Sequence, residues 1–266
     1  MKINEIVKKY VDLGHSFRNA QNLAAEEIIL TKIAFSPLSS HVTLKGGIVM
    51  YNLTKSDRRV TQDIDFDFIR YSIDDLSIKL FIEKLNLTAD GINVSITGNI
   101  EKLHQDDYQG VRVFAKLSDG IDSLKIKLDI GVHAYLSIEQ NSLAFSFESN
   151  SESISMMVNP CEQIAAEKLL SLARFGALST RFKDIYDLYF FINNNMLSLN
   201  KTRTILEMFL KESKRKPNNI TDLINSISDT MDNNVFTNEA SKPTYQWIDA
   251  DFEIVKKTIM SFVEKL

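Results

Sequence analysis

The stretch KGGIVMYNLTKSDRRVTQDIDFDF, Lys45 to Phe68, sets two adjacent glycines, a helix-like run, a basic pair and three acids at alternate positions in close succession. In an extended strand side chains alternate, so Ile64, Phe66 and Phe68 share one face and Asp63, Asp65 and Asp67 the other. Acids crowded on one face repel, and two readings relieve that repulsion. Either an amphipathic edge strand solvates its acids, or Asp63 and Asp65, one repeat apart, share a divalent cation, as suits magnesium bound to substrate phosphates.

Working outward, SLKIKLDIGV alternates in the same way, with Leu124, Ile126, Leu128 and Ile130 apolar and Lys125, Lys127 and Asp129 polar. If this strand neighbours the first, Asp129 completes a three-acid cluster able to hold a metal and to accept a proton from an attacking hydroxyl; alone it is an ordinary surface acid. Upstream, Gly46 and Gly47 follow the strand-like HVTLK and precede an amphipathic stretch. They permit a tight turn and close backbone approach, with the N–H groups of a following helix free to face a phosphate. A bare glycine pair also serves simply as a turn.

The remaining pattern divides the chain. Helical periodicity to about Phe35 gives way to the strand candidates HVTLK, DIDFDFIRY, INVSITGNI, VRVFAKL and LKIKLDIGV. The polar SFESNSESIS, Ser146 to Ser155, reads as a connector that could include a hairpin turn, and it places a boundary near residue 155. Beyond it NPCEQIAAEKLLSLARF has Asn159 as expected N-cap and Pro160 at the first helical position, and the rest is helical in pattern. The expected domains are 1–155 and 156–266. A hydrophobic content of 44% suffices to fill a core for each.

Composition excludes several classes. One cysteine, Cys161, forbids an internal disulfide framework and a Cys-rich zinc site. The charged N-terminal segment lacks a signal-peptide core, and no apolar run approaches the ~20 residues that span a bilayer, so the expectation is a cytoplasmic protein without membrane insertion. A net charge of -4 argues against broad non-specific nucleic-acid binding, although a local basic patch such as KESKRKP, Lys211 to Pro217, suits a phosphate backbone or a solvated helix end. Trp247 reads as a packed anchor, with a partner-facing aromatic as the alternative.

LKGGIVMYNL, RVTQDIDFDF, IKLDIG, CEQIAAEKLLSL and RFKDIYDLYFF, in this order, resemble the AbiEii/AbiGii-type nucleotidyltransferase toxins of the DNA polymerase beta-like superfamily. The resemblance covers Val42 to Ile192. It implies an α+β fold, a minimal nucleotidyltransferase mixed sheet with flanking helices, then a helical C-terminal domain that closes the nucleotide cleft. The implied activity is pyrophosphate-releasing transfer of NMP from an NTP with Mg2+ or Mn2+. The implied setting is a toxin–antitoxin or phage-defence system with tRNA or another RNA as acceptor and a cognate antitoxin as partner.

Carried over by position, the resemblance gives Gly46, Gly47, Arg59 and Thr61 to the nucleotide and Asp63 and Asp65 to the metal; Lys45 and Arg181 are expected beside the nucleotide as well, and Asp129, from the strand reading, as a third metal ligand. Glu167 and Lys168 match the family's EK motif, with Lys168 on nucleotide phosphates. Arg181, Asp184, Asp187 and Leu188 match R-x-x-D-x-x-D-L, with Asp184 and Asp187 as a functional pair. Read from spacing alone, Lys168 sits at the margin of an apolar helical stripe where a lysine snorkels, and Arg181, Asp184 and Asp187 form an i, i+3 salt-bridge face. Two positions depart from the family: Ile48 stands where many relatives have Thr or Ser, removing a hydroxyl contact to the triphosphate, and Asp67 is an extra acid, read as a solvated neighbour. Competing functions are transfer onto a protein hydroxyl and a catalytically silent nucleotide-binding regulator. A metal-dependent nuclease fits less well, since the glycine turn and Lys168 suit a triphosphate.

Overall fold

The computed structural model describes residues 2–105, 108–149, 152–213 and 215–266. The chain divides into two compact units, Met1–Asn159 and Pro160–Leu266. The first contains α1 (Ile3–Asp12), α2 (Phe17–Phe35), β1 (Val42–Lys45), α3 (Gly46–Thr54), β2 (Asp63–Phe68), α4 (Asp75–Leu85), β3 (Asn93–Ile96), β4 (Glu101–Gln105), β5 (Tyr108–Ser118), β6 (Ser123–Val132), β7 (Asn141–Phe145) and β8 (Ile154–Val158). The second contains α5 (Cys161–Phe175), α6 (Lys183–Asn193), α7 (Leu199–Glu212), α8 (Ile220–Met231), α9 (Asn234–Ala240) and α10 (Phe252–Val263).

The strands form one mixed sheet in the order β3-β5-β6-β2-β1-β8-β7, with β4 paired to β5. β2 runs antiparallel to β1 and parallel to β6, so the acid-bearing strand lies inside the sheet with a neighbour on each side. Its apolar alternation has the expected outcome: Ile64, Phe66 and Phe68 are fully buried, and Phe68 meets Phe81 of α4 edge to face at 5.0 Å. Each such buried aromatic contributes about 1.5–3 kcal/mol, which fixes the register, because a one-residue slip would put all three in place of the acids. Helices α2 and α4 start with side-chain caps. Ser16 accepts from Asn19 N at 3.3 Å and Asp74 from Ser77 N at 2.9 Å. At the sheet edge, the Asn86 side chain donates to Val94 O at 2.8 Å and accepts from Val94 N at 2.7 Å, covering β3 against strand addition.

One local expectation is met and one changes. The polar Ser146 to Ser155 segment connects the antiparallel pair β7 and β8, and β8 continues the sheet beside β1; residues 150 and 151 lie outside the described residues. Asn159 is not the cap of α5. Its N–H donates to Leu44 O at 2.9 Å and its side-chain oxygen accepts from Thr43 Oγ1 at 3.1 Å, so it prolongs the sheet, and Pro160 takes the N-cap position.

In the second unit, α5 packs Ile164, Ala165 and Leu169 inward, and fully buried Tyr186 donates its hydroxyl to Ala240 O at 2.9 Å. Trp247 is a buried anchor, as expected, 5.6 Å from the Phe190 ring. The basic Lys211 to Pro217 stretch spans the end of α7 and the following turn, where Arg174 donates to Ser213 Oγ at 2.7 Å; Lys214 lies outside the described residues. Among the described residues no helix is long and apolar enough to cross a membrane.

Candidate active site

The two glycines are required by what lies beneath them. Gly46 has φ +64°, a left-handed conformation, and a Cβ there would stand 2.4 Å from Asp65 Oδ2. A Cβ on Gly47 would stand 2.8 Å from Thr61 Oγ1 and 3.2 Å from Arg59 Nη1. The first turn of α3 therefore rests directly on Asp65, Thr61 and Arg59, and helix bonding leaves its N–H groups without intrahelical acceptors. Gly46→Ala is expected to cost about 1–3 kcal/mol of stability through strain and to lower any activity of the site further by displacing Asp65, read by thermal melting beside a turnover assay. Thr61 Oγ1 donates to Asp63 O at 3.2 Å and accepts from Asp63 N at 3.4 Å, bracing the start of β2.

The sheet register surrounds the acids with countercharges that the sequence alone did not pair. Asp63 lies opposite Lys127 on β6, with Nζ and Oδ2 2.5 Å apart. Asp65 lies opposite both Lys45 of β1 and Asp129 of β6. Asp129 accepts from Arg112 Nε and Nη2, each at 2.8 Å, a bidentate pair across β5 and β6 that holds the guanidinium pKa above its ordinary value. The pairing of Arg112 with Asp129 follows from the β5–β6 register and had no local signal.

The strand carrying Asp129 does neighbour the Asp63 strand, with Asp129 opposite Asp65; its carboxylate is paired with Arg112, and among the described residues no group of three or more His, Cys, Asp or Glu side chains is placed to hold a metal ion. Asp63 and Asp65 remain together on one half-exposed strand face against the glycine turn. Such a hard two-carboxylate set fits a magnesium-like ion that takes its other ligands from water and substrate phosphates. One expectation is corrected: Asp67 is not a solvated neighbour. It is 3% exposed, and its Oδ1 pairs with Lys45 Nζ at 2.6 Å, while burial pushes the nearby His133 below its ordinary pKa and the Asp67 charge opposes that shift. Ile48 is buried, so the position that carries a hydroxyl in many relatives packs here into the core.

In the second unit the two helical motifs form one network. Lys168 on α5 is 4% exposed, so its ammonium does not snorkel. It pairs with Asp184 and, at 2.8 Å, with Asp187 Oδ2, and Arg181 Nε reaches Asp184 Oδ2 at 2.7 Å. Asp187 is fully buried. Two cations and two carboxylates thus neutralise one another, and the salt-bridge reading and the functional reading describe the same four residues. Glu167, on the same helix, accepts from Gln163 Nε2 at 3.1 Å.

Sequence reasoning missed Glu26, set in the apolar run LAAEEIIL of α2. Burial, with a contribution from the charge on Asp63, pushes its carboxyl well above the usual range. Two acids inside so apolar a helix were the available signal.

A model of the family described as nucleotidyl transferase AbiEii toxin, type IV toxin–antitoxin system, matches residues 28–257. No curated protein matches. Among solved structures, JHP933 from Helicobacter pylori is 16% identical over 94% of this chain and 92% of that one, with a TM-score of 0.44. A putative nucleotidyltransferase from H. pylori is 18% identical over 92% and 93%, with a TM-score of 0.43.

Proposed function

This chain belongs to the AbiEii nucleotidyl transferase toxin family of type IV toxin–antitoxin systems, and from that premise we propose that it transfers a nucleoside monophosphate from an NTP to a hydroxyl of RNA, with tRNA as the favoured acceptor. The observation that carries the reading is the glycine turn seated on Asp65, which sets helix N–H groups beside a strand carboxylate pair. Asp63 and Asp65 would hold Mg2+ or Mn2+, which when bound neutralises triphosphate charge.

The chain's own groups then have distinct tasks. The first turn of α3 offers N–H donors to phosphate oxygens, and Arg59 beside Gly47 adds a fixed positive charge. Lys168 is assigned to a nucleotide phosphate, held in a single orientation by Asp184 and Asp187 and partnered through Asp184 with Arg181. The acceptor oxygen forms a bond to the α-phosphorus as the bond to the bridging oxygen of the β-phosphate breaks. Pyrophosphate leaves, and the hydroxyl proton passes to a carboxylate, for which Asp129 and Asp184 are the candidates. Lys45 acts through Asp67 as a brace of the β1–α3 junction. Family membership also implies a cognate antitoxin. We place the protein in the cytoplasm, where NTP and tRNA are found, and phage defence is the proposed setting.

Label transfer from each of the four α-labelled NTPs, with magnesium and total cellular RNA, tests this. Label is expected in RNA and from a preferred NTP. Label in protein alone would reassign the acceptor, and NTP binding with no label in either fraction would replace catalysis with a silent nucleotide-binding role.

A further inference from the structure

The acid-bearing face of the sheet extends well past its carboxylates. On β5, Val111, Val113, Ala115 and Leu117 are buried, which turns Arg112, Phe114 and Lys116 to the opposite face. The same alternation on β6 turns out Lys125, Lys127 and Asp129. Cross-strand partners share a face, so the registers lay these side chains out in rows with the acids of β2. One row holds Asp65, Asp129 and Arg112, and the next holds Asp63, Lys127 and Phe114. A third sets Lys125 of β6 directly opposite Lys116 of β5, with Ser95 of β3 beyond it.

The first two rows balance their charges, since Arg112 holds Asp129 and Lys127 holds Asp63. The third does not. Lys116 and Lys125 are both exposed, and among the described residues neither side chain forms an ion pair or hydrogen bond. Like charges directly opposite on neighbouring strands destabilise a sheet, so the pair costs stability that an anion between them would restore. Beside it, Phe114 is 38% exposed on a face that is otherwise polar. Two unneutralised cations next to an open aromatic ring are the recognition chemistry of an unpaired polynucleotide, whose phosphates take the charge and whose bases stack. With a net charge of -4 on the whole chain, that attraction is local to these rows. Strand spacing puts Phe114, two strands away, about 10 Å from Asp63, and Lys125 about 7 Å along β6 from Lys127. The nucleotides adjoining a hydroxyl held at the acids therefore come within reach of both.

We propose that this face is an acceptor-strand site, on which an unpaired segment of RNA next to the reacting hydroxyl lies across β5 and β6, with a base stacked on Phe114 and a phosphate between Lys116 and Lys125. The site rests on the nucleotidyl transfer reading for its RNA and adds the surface that holds it. A double helix presents no free base to the ring, so the site selects unpaired acceptors.

The test is fluorescence anisotropy of the full chain with a short fluorescein-labelled oligo(U), without NTP, over a salt series. The wild type is expected to bind oligo(U) more tightly than a fully paired RNA hairpin. Phe114→Ala is expected to weaken oligo(U) binding by roughly tenfold with the salt dependence kept, the loss of one stacked base. Lys116→Gln combined with Lys125→Gln is expected to weaken it as well and to lower the slope of log affinity against log salt by about 1.4, the value for two single-strand phosphate contacts. The melting temperature of that double variant is expected to match or exceed the wild type's, because the opposed charges are gone. Its affinity for NTP, measured without RNA, is expected to be unchanged. No oligo(U) binding by the wild type, wild-type binding by either variant, or a hairpin bound as tightly as oligo(U) would overturn the proposal. So would a loss of NTP affinity in the double variant, which would give the lysines to the triphosphate. Label transfer run beside the titration keeps the two readings apart. Oligo(U) held through these residues with no label reaching RNA leaves the site standing and removes the reaction, whereas RNA labelled by the double variant with the wild-type KM for RNA removes the site and leaves the reaction.

Discussion

Asp65→Asn is expected to leave the melting temperature near that of the wild type and to lower nucleotide transfer by roughly 10²–10³-fold, the scale on which a single electrostatic contact to a transition state is lost. The position is half-exposed, and Asn keeps the volume against which Gly46 packs, so the turn retains its shape. What is removed is the negative charge that a divalent ion needs, and a neutral amide oxygen is a poorer ligand for a hard cation. Asp67→Asn, on the same strand, is expected to behave differently. Its carboxylate is buried against Lys45, so the substitution would weaken folding before it affected transfer. Comparing the two by melting and by initial rate separates the acid that faces substrate from the acid that braces the sheet.

Asp187→Ala is expected to destabilise the second unit by about 3–5 kcal/mol, because it leaves the buried Lys168 ammonium with one carboxylate instead of two and opens a void at a fully buried position. The double variant Asp187→Leu with Lys168→Met removes both charges and fills the space, and it is expected to recover most of that loss while remaining inactive. Urea denaturation midpoints measure the first effect and transfer assays the second. Recovery of stability together with activity would show that the network only holds α5 and α6 together and would take Lys168 out of the chemistry.

The sheet was legible where one face is apolar. DIDFDF and LKIKLDIGV alternate cleanly because their buried faces tolerate no polar residue, and both became strands with the expected face inward. β4, β7 and β8 escaped because EKLHQ, NSLAF and ISMMV are short and lack that alternation; they are strands through pairing with β5, with each other and with β1. The site was legible in its types and less so in its partners. Spacing places Asp63 and Asp65 on one face, but nothing local to Asp129 announces that Arg112 will hold it, since their pairing depends on the β5–β6 register. Asp67 shows the same limit. Alternation assigns it to the polar face, whereas its burial follows from Lys45 on the neighbouring strand. Lys168 was readable either as a snorkelling lysine or as a functional one until the fold brought Asp184 and Asp187 to it.

The most direct test of the account follows pyrophosphate and RNA-linked nucleotide together, in single turnover with magnesium, for the wild type and for Asp65→Asn of matched melting temperature. Equal amounts of pyrophosphate and RNA-bound NMP are expected with the wild type and only background of both with the variant. Undiminished pyrophosphate release and RNA labelling by Asp65→Asn would contradict the account, because the chemistry would then not depend on the carboxylate beneath the glycine turn.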